Sequence, residues 1–388
     1  MLSLARADAL PHFRFDAAKL KATADYVAEV IRGNYPDLRV PLHARWRHFV
    51  FGGRDLWAEI AAKTQWPDQA AQARAAFDLA IVSVLLDAGA GPDWRYRDEA
   101  TGLTIGRSEG LALASLRMFE AGLFSADARD PLRADAHRLA QLNAAELAQG
   151  FQVTANNPLA GLEGRAALLA RLGRAMADNA AVFAAADAAR AGGLFDHLVA
   201  QADGKTLPAP AILRSLLLHL GGIWQNRLTL AGVPLGDTWR HRAIKRDDAS
   251  NGLMPLHKLS QWLSYSLIEP LQQAGLAITD VDGLTGLAEY RNGGLLIDSG
   301  LIALREPDKA NAPLPVDAEL VVEWRALTVA LLDALLPLVR ERLGVTAANF
   351  PLGSLLEGGT WAAGRKIAKE KRGDGAPPLT VISDGTVF

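Results

Sequence analysis

The segment TGLAEYRNGGLLIDSG, residues 285–300, places a carboxylate, a phenol, a guanidinium group and an amide on four consecutive residues, Glu289, Tyr290, Arg291 and Asn292. A glycine pair follows, and the apolar run after it is typical of a helix. Asn292 is a favoured N-cap, so we expect the helix to begin there and to direct its first N–H groups at an anion. An ordinary corner between two helices, with a solvated glutamate–arginine pair, is the alternative interpretation.

A second cluster of charged and aromatic residues lies in the segment HARWRHFVFGGRD, residues 43–55. It offers many hydrogen-bond donors and stacking surfaces, which suit an anion or a planar ligand. Arg45, Trp46, Arg47 and His48 are therefore candidate binding residues. The cluster equally suits a packed aromatic hook on which arginine side chains stack.

Further candidate residues stand at predicted helix starts. Arg107 and Glu109, in the string RSEG, either cap a helix or contact a ligand. Glu163 and Arg165 stand beside glycines, whose small size would let a ligand approach closely.

His257 and Lys258 fall in the first turn of a helix predicted over residues 255–271. A lysine at a helix start opposes the helix dipole unless an anion lies nearby. This position therefore favours a phosphate or carboxylate partner.

Apolar residues recur at helical spacing through most of the chain. The spacing predicts helices that include residues 16–31, 69–87, 107–119, 212–224, 255–271 and 318–343. Glycine- and proline-bearing breaks separate them, and a small hairpin is predicted over residues 379–388. We expect an almost wholly helical protein whose polar and aromatic clusters lie at helix starts and in loops.

Composition excludes several classes of function. The 388 residues are 50% hydrophobic and carry 41 basic and 43 acidic side chains, so a large core is expected and a nucleic-acid partner is not. The chain has no cysteine, which rules out disulfides, thiol catalysis and cysteine zinc sites. No signal-peptide core and no apolar run of about 20 residues occurs, so we expect a cytoplasmic protein without a membrane partner.

No motif for a metal or a nucleotide cofactor is present. The chain lacks the His-Glu-x-x-His spacing of zinc enzymes, and no glycine-rich phosphate loop follows a predicted strand. No nucleophile-elbow signal supports serine hydrolase chemistry. We therefore predict no metal and no cofactor.

Five strings together resemble the uracil catabolism protein 4 family over nearly the whole chain: RWRHF at 45–49, RSEG at 107–110, NPLAGLEGR at 157–165, EYRNGG at 289–294 and EGGTW at 357–361, which includes Trp361. The resemblance implies a place in a pathway that opens the pyrimidine ring and ends in urea. More distantly, the motif order is similar to the queuosine 5′-phosphate N-glycosylase family. That similarity implies an all-α fold like that of helix-hairpin-helix DNA glycosylases, with at most a small C-terminal hairpin. It also implies one large domain over 1–388, made of an N-terminal helical part (1–95), a glycosylase-like core (96–365) and a tail (366–388).

The distant resemblance also implies roles for individual residues. In that family an Ala-Asp-Tyr-Arg motif supplies the carboxylate that acts at the ribose anomeric carbon, and residues 288–291 match it with Glu289 in place of aspartate. A helix-start lysine, matched by Lys258, is taken to hold a 5′-phosphate. The family has an aspartate after the residue matched by Trp361, whereas this chain has Ala362.

These residues support three hypotheses. The first is hydrolysis of ribosylurea or its 5′-phosphate, a small-molecule substrate, with Glu289 as the catalytic carboxylate and Lys258 and Arg291 on the phosphate. The second is hydrolysis of a ring-opened ureido intermediate at its carbonyl. The third is a non-catalytic helical scaffold of the pathway. The sequence leaves the oligomeric state open.

Overall fold

A computed structural model describes residues 1–184, 188–225 and 227–382 of the chain. These residues are mostly helical, as the periodicity predicts. The helices are α1 (Leu2–Arg6), α2 (Lys19–Asn34), α3 (Leu56–Lys63), α4 (Gln69–Leu85), α5 (Arg107–Glu120), α6 (Ala136–Gln141), α7 (Ala144–Gly150), α8 (Leu162–Asp178), α9 (Ala180–Phe183), α10 (Gly193–Gln201), α11 (Ala209–Leu220), α12 (Lys258–Gln273), α13 (Tyr290–Asp298), α14 (Glu319–Leu343), α15 (Leu352–Ser354) and α16 (Trp361–Arg372).

The strands are short, and three of their pairs join distant parts of the chain. They are β1 (Phe13–Phe15), β2 (Val50–Phe51), β3 (Arg54–Asp55), β4 (Tyr96–Asp98), β5 (Leu103–Ile105), β6 (Thr206–Pro208), β7 (Thr229–Leu230), β8 (Val233–Pro234), β9 (Thr238–Arg240), β10 (Leu253–Pro255), β11 (Ala277–Thr279), β12 (Ile302–Leu304), β13 (Leu314–Pro315) and β14 (Val381–Ile382). Within the described residues they form two-stranded pairs: β1–β12, β2–β3, β4–β5, β7–β8 and β9–β10 are antiparallel, and β6–β11 and β13–β14 are parallel.

These pairs correct the expectation of at most one small C-terminal hairpin. Strands of two or three residues carry almost no periodic signal, and pairs such as β1–β12 join segments far apart in sequence. At the C-terminus β14 pairs in parallel with β13, and residues 383–388 of the expected hairpin lie outside the described residues. The mostly helical class is confirmed, whereas the glycosylase-like fold and the three-part division of the chain stay predictions.

Two clusters of buried apolar side chains form the core, and α14 contributes to both. One cluster combines α2, α13 and residues near both ends of the chain. The other contains α4, α5, α8, α11 and α12. Val322 and Leu332 of α14 belong to the second cluster, while Leu327 and Leu331 belong to the first. The long helix therefore links the two packed regions on its opposite sides.

Close packing around α13 depends on glycine. A Cβ atom on Gly293 would lie 2.7 Å from the ring of Trp324 in α14, and one on Gly364 of α16 would overlap the carbonyl oxygen of Arg291. Larger residues at either position would push the helices apart. None of the helices in the described ranges is long and apolar enough to cross a membrane.

Candidate functional site

A cavity of about 670 Å³ lies among the starts of α5, α12, α13 and α16. Its walls also include the loop 87–92 after α4 and the segment 374–381 near the C-terminus. Among the described residues, seven of the predicted site residues line it: His48, Arg107, Lys258, Glu289, Tyr290, Arg291 and Trp361. The cavity thus gathers helix starts that are far apart in sequence.

Glu289 is the N-cap of α13, in a correction to the expected cap at Asn292. Its carboxylate accepts hydrogen bonds from the backbone N–H groups of Arg291 at 2.7 Å and Asn292 at 2.5 Å. Asn292 instead lies buried in the first turn. The anion expected at this helix start is the protein's own carboxylate, because Glu has the reach to turn back on these N–H groups.

The carboxylate of Glu289 is buried as well as fixed, with 8% of the residue exposed. Burial raises its pKa above the ordinary value, while the two backbone hydrogen bonds and the positive charges of Lys258 and His43 oppose the rise. A group with this balance holds one orientation and can exchange a proton above the usual range of glutamate.

Lys258 begins α12 and directs its ammonium group toward the cavity. Its backbone N–H donates to Oδ2 of Asp237 at 2.9 Å, so the helix start is already capped by a carboxylate. Burial lowers the pKa of Lys258, and Asp87 and Glu289 oppose that shift. The ammonium group has no hydrogen-bond partner in the described part of the chain, and it lies 5.9 Å from the ring centroid of Trp262.

Arg107 is the second cation of the cavity lining whose side chain has no hydrogen-bond partner in the described residues. It begins α5 with a φ of 58°, and His257, just before α12, has a φ of 48°. Side chains at such angles are strained, and strain of this kind concentrates at functional sites. These two cavity cations without a hydrogen-bond partner thus stand at helix starts with an unusual backbone turn.

Arg291 makes a different contact from the one expected. Its Nη1 donates to the carbonyl oxygen of Gly375 at 2.7 Å, and its guanidinium group lies 4.9 Å from the ring centroid of Tyr290. Arg291 therefore ties the segment 374–381 over the cavity next to Glu289.

Asp87 is a cavity residue that the sequence reasoning missed. Its Oδ2 accepts hydrogen bonds from Arg45 Nη1 at 2.5 Å and from Ser108. Arg45 is fully buried and also donates from Nε to Ser83 Oγ at 2.6 Å. The sequence offers one signal for Asp87: it is an acidic residue between an apolar helix and the glycine-rich string GAGP, residues 89–92. Arg45 lies beneath the cavity and balances the charge of Asp87.

His43 and Glu357 form a pair at the cavity that the sequence did not reveal. Nδ1 of His43 lies 2.6 Å from Oε2 of Glu357, and the imidazole stacks on Trp262 with 6.0 Å between ring centroids. Glu357 stands in a π-helical turn, Leu355–Thr360, immediately before α16. Such turns are frequent at functional sites. His43 lies in the segment 43–55 and Glu357 in the string EGGTW, but nothing in the sequence indicates that the two residues contact each other.

The remaining predicted residues do not line the cavity in the described ranges, and several support it instead. Arg165 donates to the carbonyl oxygens of Leu86 at 2.9 Å, Ala88 at 2.7 Å and Gly89 at 3.2 Å, and so shapes the loop that forms one wall. The others lie as follows: Trp46 donates to the Ser266 carbonyl, Arg47 pairs with Glu269, Glu109 pairs with Arg365, Glu163 is exposed, and His257 precedes Lys258.

A buried ion pair connects two walls of the cavity. Arg325 of α14 donates to both carboxylate oxygens of Asp237, and its Nε donates to the carbonyl oxygen of Ala288 at 3.2 Å. Asp237 in turn holds the backbone of Lys258. One arginine therefore fixes the segment before Glu289 relative to the start of α12.

Two polar atoms at the cavity residues are buried without a hydrogen-bond partner in the described part of the chain: Nε1 of Trp262 and Nδ1 of His48. Burial, Arg45 and His43 hold the pKa of His48 well below its usual range, so this ring is neutral. No group of three or more histidine, aspartate or glutamate side chains among the described residues is placed to hold a metal ion.

Comparison with known proteins places the chain in a family. Residues 1–388 match the family described as "Protein of unknown function (DUF1688)". Protein urg3 of Schizosaccharomyces pombe is 37% identical over 100% of this chain and 95% of its own length. Uracil catabolism protein 4 of Lachancea kluyveri is 36% identical over 97% of this chain and 92% of its own length. The family resemblance expected from the five strings is confirmed, and this chain belongs to the DUF1688 family.

Proposed function

We propose that this chain is an enzyme of uracil catabolism that hydrolyses the N-ribosyl bond of ribosylurea or of its 5′-phosphate and releases urea. The relative named Uracil catabolism protein 4 supports the pathway. The observation that carries the reaction is Glu289, a buried carboxylate fixed by two backbone N–H groups at a cavity that also holds Lys258 and Arg107.

Cleavage of an N-ribosyl bond passes through a state in which positive charge develops on the anomeric carbon and the ring oxygen. A fixed carboxylate next to that carbon stabilises the charge without reorganising. Glu289 has this property because its own helix start holds it. It either stabilises the charge directly or takes a proton from the attacking water.

The cavity also suits the rest of the substrate. About 670 Å³ accommodates a ribosyl phosphate with a small leaving group. Lys258 and Arg107 provide positive charge for a phosphate, and Arg107 replaces Arg291 in that role because Arg291 holds Gly375. The mixed polar and aromatic walls offer donors and acceptors to a ureido group.

Incubation of the purified protein with synthetic ribosylurea and ribosylurea 5′-phosphate tests the proposal, with urea and the ribose product measured separately. We expect urea from at least one of the two, and a loss of about 10²- to 10³-fold in Glu289→Gln. Glu341→Gln, at an exposed position of α14, is the matched control.

The products distinguish the rival hypotheses. Ammonia or a carbamate with the ribosyl bond intact would assign cleavage to the ureido carbonyl. An unchanged substrate would favour a scaffold and refute the proposal if, in addition, Glu289→Gln leaves growth on uracil unaffected.

A further inference from the structure

A leaving nitrogen needs a proton, and Glu289 alone does not meet that need. Urea is a poor leaving group as an anion, so the nitrogen must be protonated as its bond to the anomeric carbon breaks. Glu289 is held as an acceptor by two backbone N–H groups. The donor must therefore be another group that lines the same cavity.

His43 has the geometry of a positioned acid. Its Nδ1 is 2.6 Å from Oε2 of Glu357, and this hydrogen bond orients the ring. Its Nε2 has no hydrogen-bond partner in the described residues, and His43 lines the cavity. The stacked ring of Trp262 fixes the imidazole plane.

The other histidine of the cavity is poorly suited to this task. His48 is kept neutral by burial and by the positive charge of Arg45, so it has no proton to give at neutral pH. Its ring centroid is 6.3 Å from that of His43, but its Nδ1 has no hydrogen-bond partner in the described residues, whereas Nδ1 of His43 is held by Glu357.

We propose that Nε2 of His43 donates the proton to the leaving nitrogen and that Glu357 is its positioning residue, an inference that rests on the function proposed above. The bond between the anomeric carbon and nitrogen breaks, and its electron pair stays on the nitrogen, which takes the proton from His43. Water forms the new bond to carbon and gives one proton to Glu289. That proton returns to His43 through solvent, so ribosylurea and water yield ribose and urea.

A comparison of leaving groups separates this role from a structural one. The p-nitrophenyl riboside, tested with and without a 5′-phosphate, carries a leaving group that departs without protonation. We expect His43→Asn to reduce urea release from ribosylurea by about 10²- to 10⁴-fold. Hydrolysis of the p-nitrophenyl substrate should stay within a factor of about three. Glu289→Gln should lose both activities.

The pH profile provides a second measurement, which also applies if the p-nitrophenyl substrate does not enter the cavity. The titratable groups that face His43 are Glu357 at Nδ1, His48 and, across the cavity, Glu289; Arg365 lies over Trp361, which contacts the His43 ring. We expect kcat/KM for ribosylurea to fall at high pH in the wild type, and we expect this fall to be absent in His43→Asn. Glu357→Gln keeps His43 but removes the carboxylate at its Nδ1, so it should lose urea release and retain hydrolysis of the p-nitrophenyl substrate.

Three results have distinct meanings. If His43→Asn releases urea at the rate of the wild type, His43 is not the acid. The same holds if His43→Asn loses activity on both substrates equally while circular dichroism shows that it is folded. If the wild type itself releases no urea, the proposed function fails before His43 is tested. His219→Asn, on α11 and outside the cavity lining, is the matched control and should leave every rate unchanged.

Discussion

Arg325 donates two hydrogen bonds to Asp237, at 2.8 Å and 2.7 Å, and both side chains are almost completely buried. Asp237 also accepts from the backbone N–H of Lys258 and from Nε1 of Trp239. The pair lies behind the cavity and connects α14 to the start of α12. It sets the position of a cation at the site although neither member lines the cavity.

Removal of the negative charge of Asp237 should therefore be costly. Asp237→Asn leaves the buried charge of Arg325 unbalanced, and we expect the free energy of unfolding to fall by about 3 kcal/mol or more. Denaturant titration measures this change. Asp8→Asn, which removes an exposed ion pair with Arg305, should cost less than about 1 kcal/mol. Equal effects of the two substitutions would contradict a structural role for the buried pair.

The same carboxylate predicts a sensitivity to acid. Burial raises the pKa of Asp237, but Arg325 and the other donors outweigh burial and lower the pKa to about 2. Because the folded pKa lies below that of the unfolded chain, this contribution is present above about pH 4 and is lost as the pH falls toward 2. It amounts to about 2 kcal/mol. Asp237→Asn should lack this component when unfolding is measured across that range.

Glu289 predicts the acidic limb of the activity profile. Its pKa is raised chiefly by burial, and protonation would remove the charge that stabilises the transition state. We expect kcat/KM for urea release to decline on acidification with an apparent pKa above the ordinary value of about 4.3. A limb at or below that value would show that another group titrates.

Lys258 is expected to recognise a phosphate rather than to take part in bond cleavage. Lys258→Met should raise KM for ribosylurea 5′-phosphate by about 10- to 100-fold and leave the unphosphorylated compound much less affected. Steady-state kinetics with both compounds tests this difference. Lys366→Met, whose ammonium group lies over Tyr26 outside the cavity lining, is the control. An equal loss with both compounds would contradict phosphate recognition.

Arg107 allows charge and backbone strain to be separated. Arg107→Ala and Arg107→Gly both remove the guanidinium group, but only glycine adopts a φ of 58° without cost. We expect similar losses of affinity for the 5′-phosphate, with the glycine variant about 1 kcal/mol more stable than the alanine variant. Thermal unfolding and phosphate competition measure the two effects. If Arg107→Ala is more stable than Arg107→Gly, the backbone at position 107 is not strained.

Gly364 predicts a link between helix packing and the site. Gly364→Ala would push its Cβ into the carbonyl oxygen of Arg291 and separate α16 from α13, with an expected loss of about 1–3 kcal/mol and of activity. Gly164→Ala in α8 is a matched control, because nothing lies within 4 Å of its added Cβ. That change should stabilise the helix by up to about 1 kcal/mol. Equal effects of Gly364→Ala and Gly164→Ala on stability and activity would contradict the close contact between Gly364 and Arg291.

Local patterns predicted the helices well and their contacts poorly. The helices predicted over residues 16–31 and 69–87 end within a few residues of α2 and α4, because capping and apolar spacing act over one or two turns. The cap at Asn292 was wrong by three residues. A glutamate that turns back on its own helix start is less common than an asparagine cap, so side-chain preference pointed to the wrong residue.

The sequence by itself determined the helical class, the family strings and the concentration of charged and aromatic residues at helix starts, since these depend on neighbours along the chain. Only the tertiary structure decided which of these residues share a cavity. Long-range contacts bury Arg45 against Asp87 and direct Arg165 to the loop carbonyls, and they bring His43 to Glu357 across more than 300 residues. Glu289 remains the proposed reacting group, and its surroundings follow from contacts that no local pattern records.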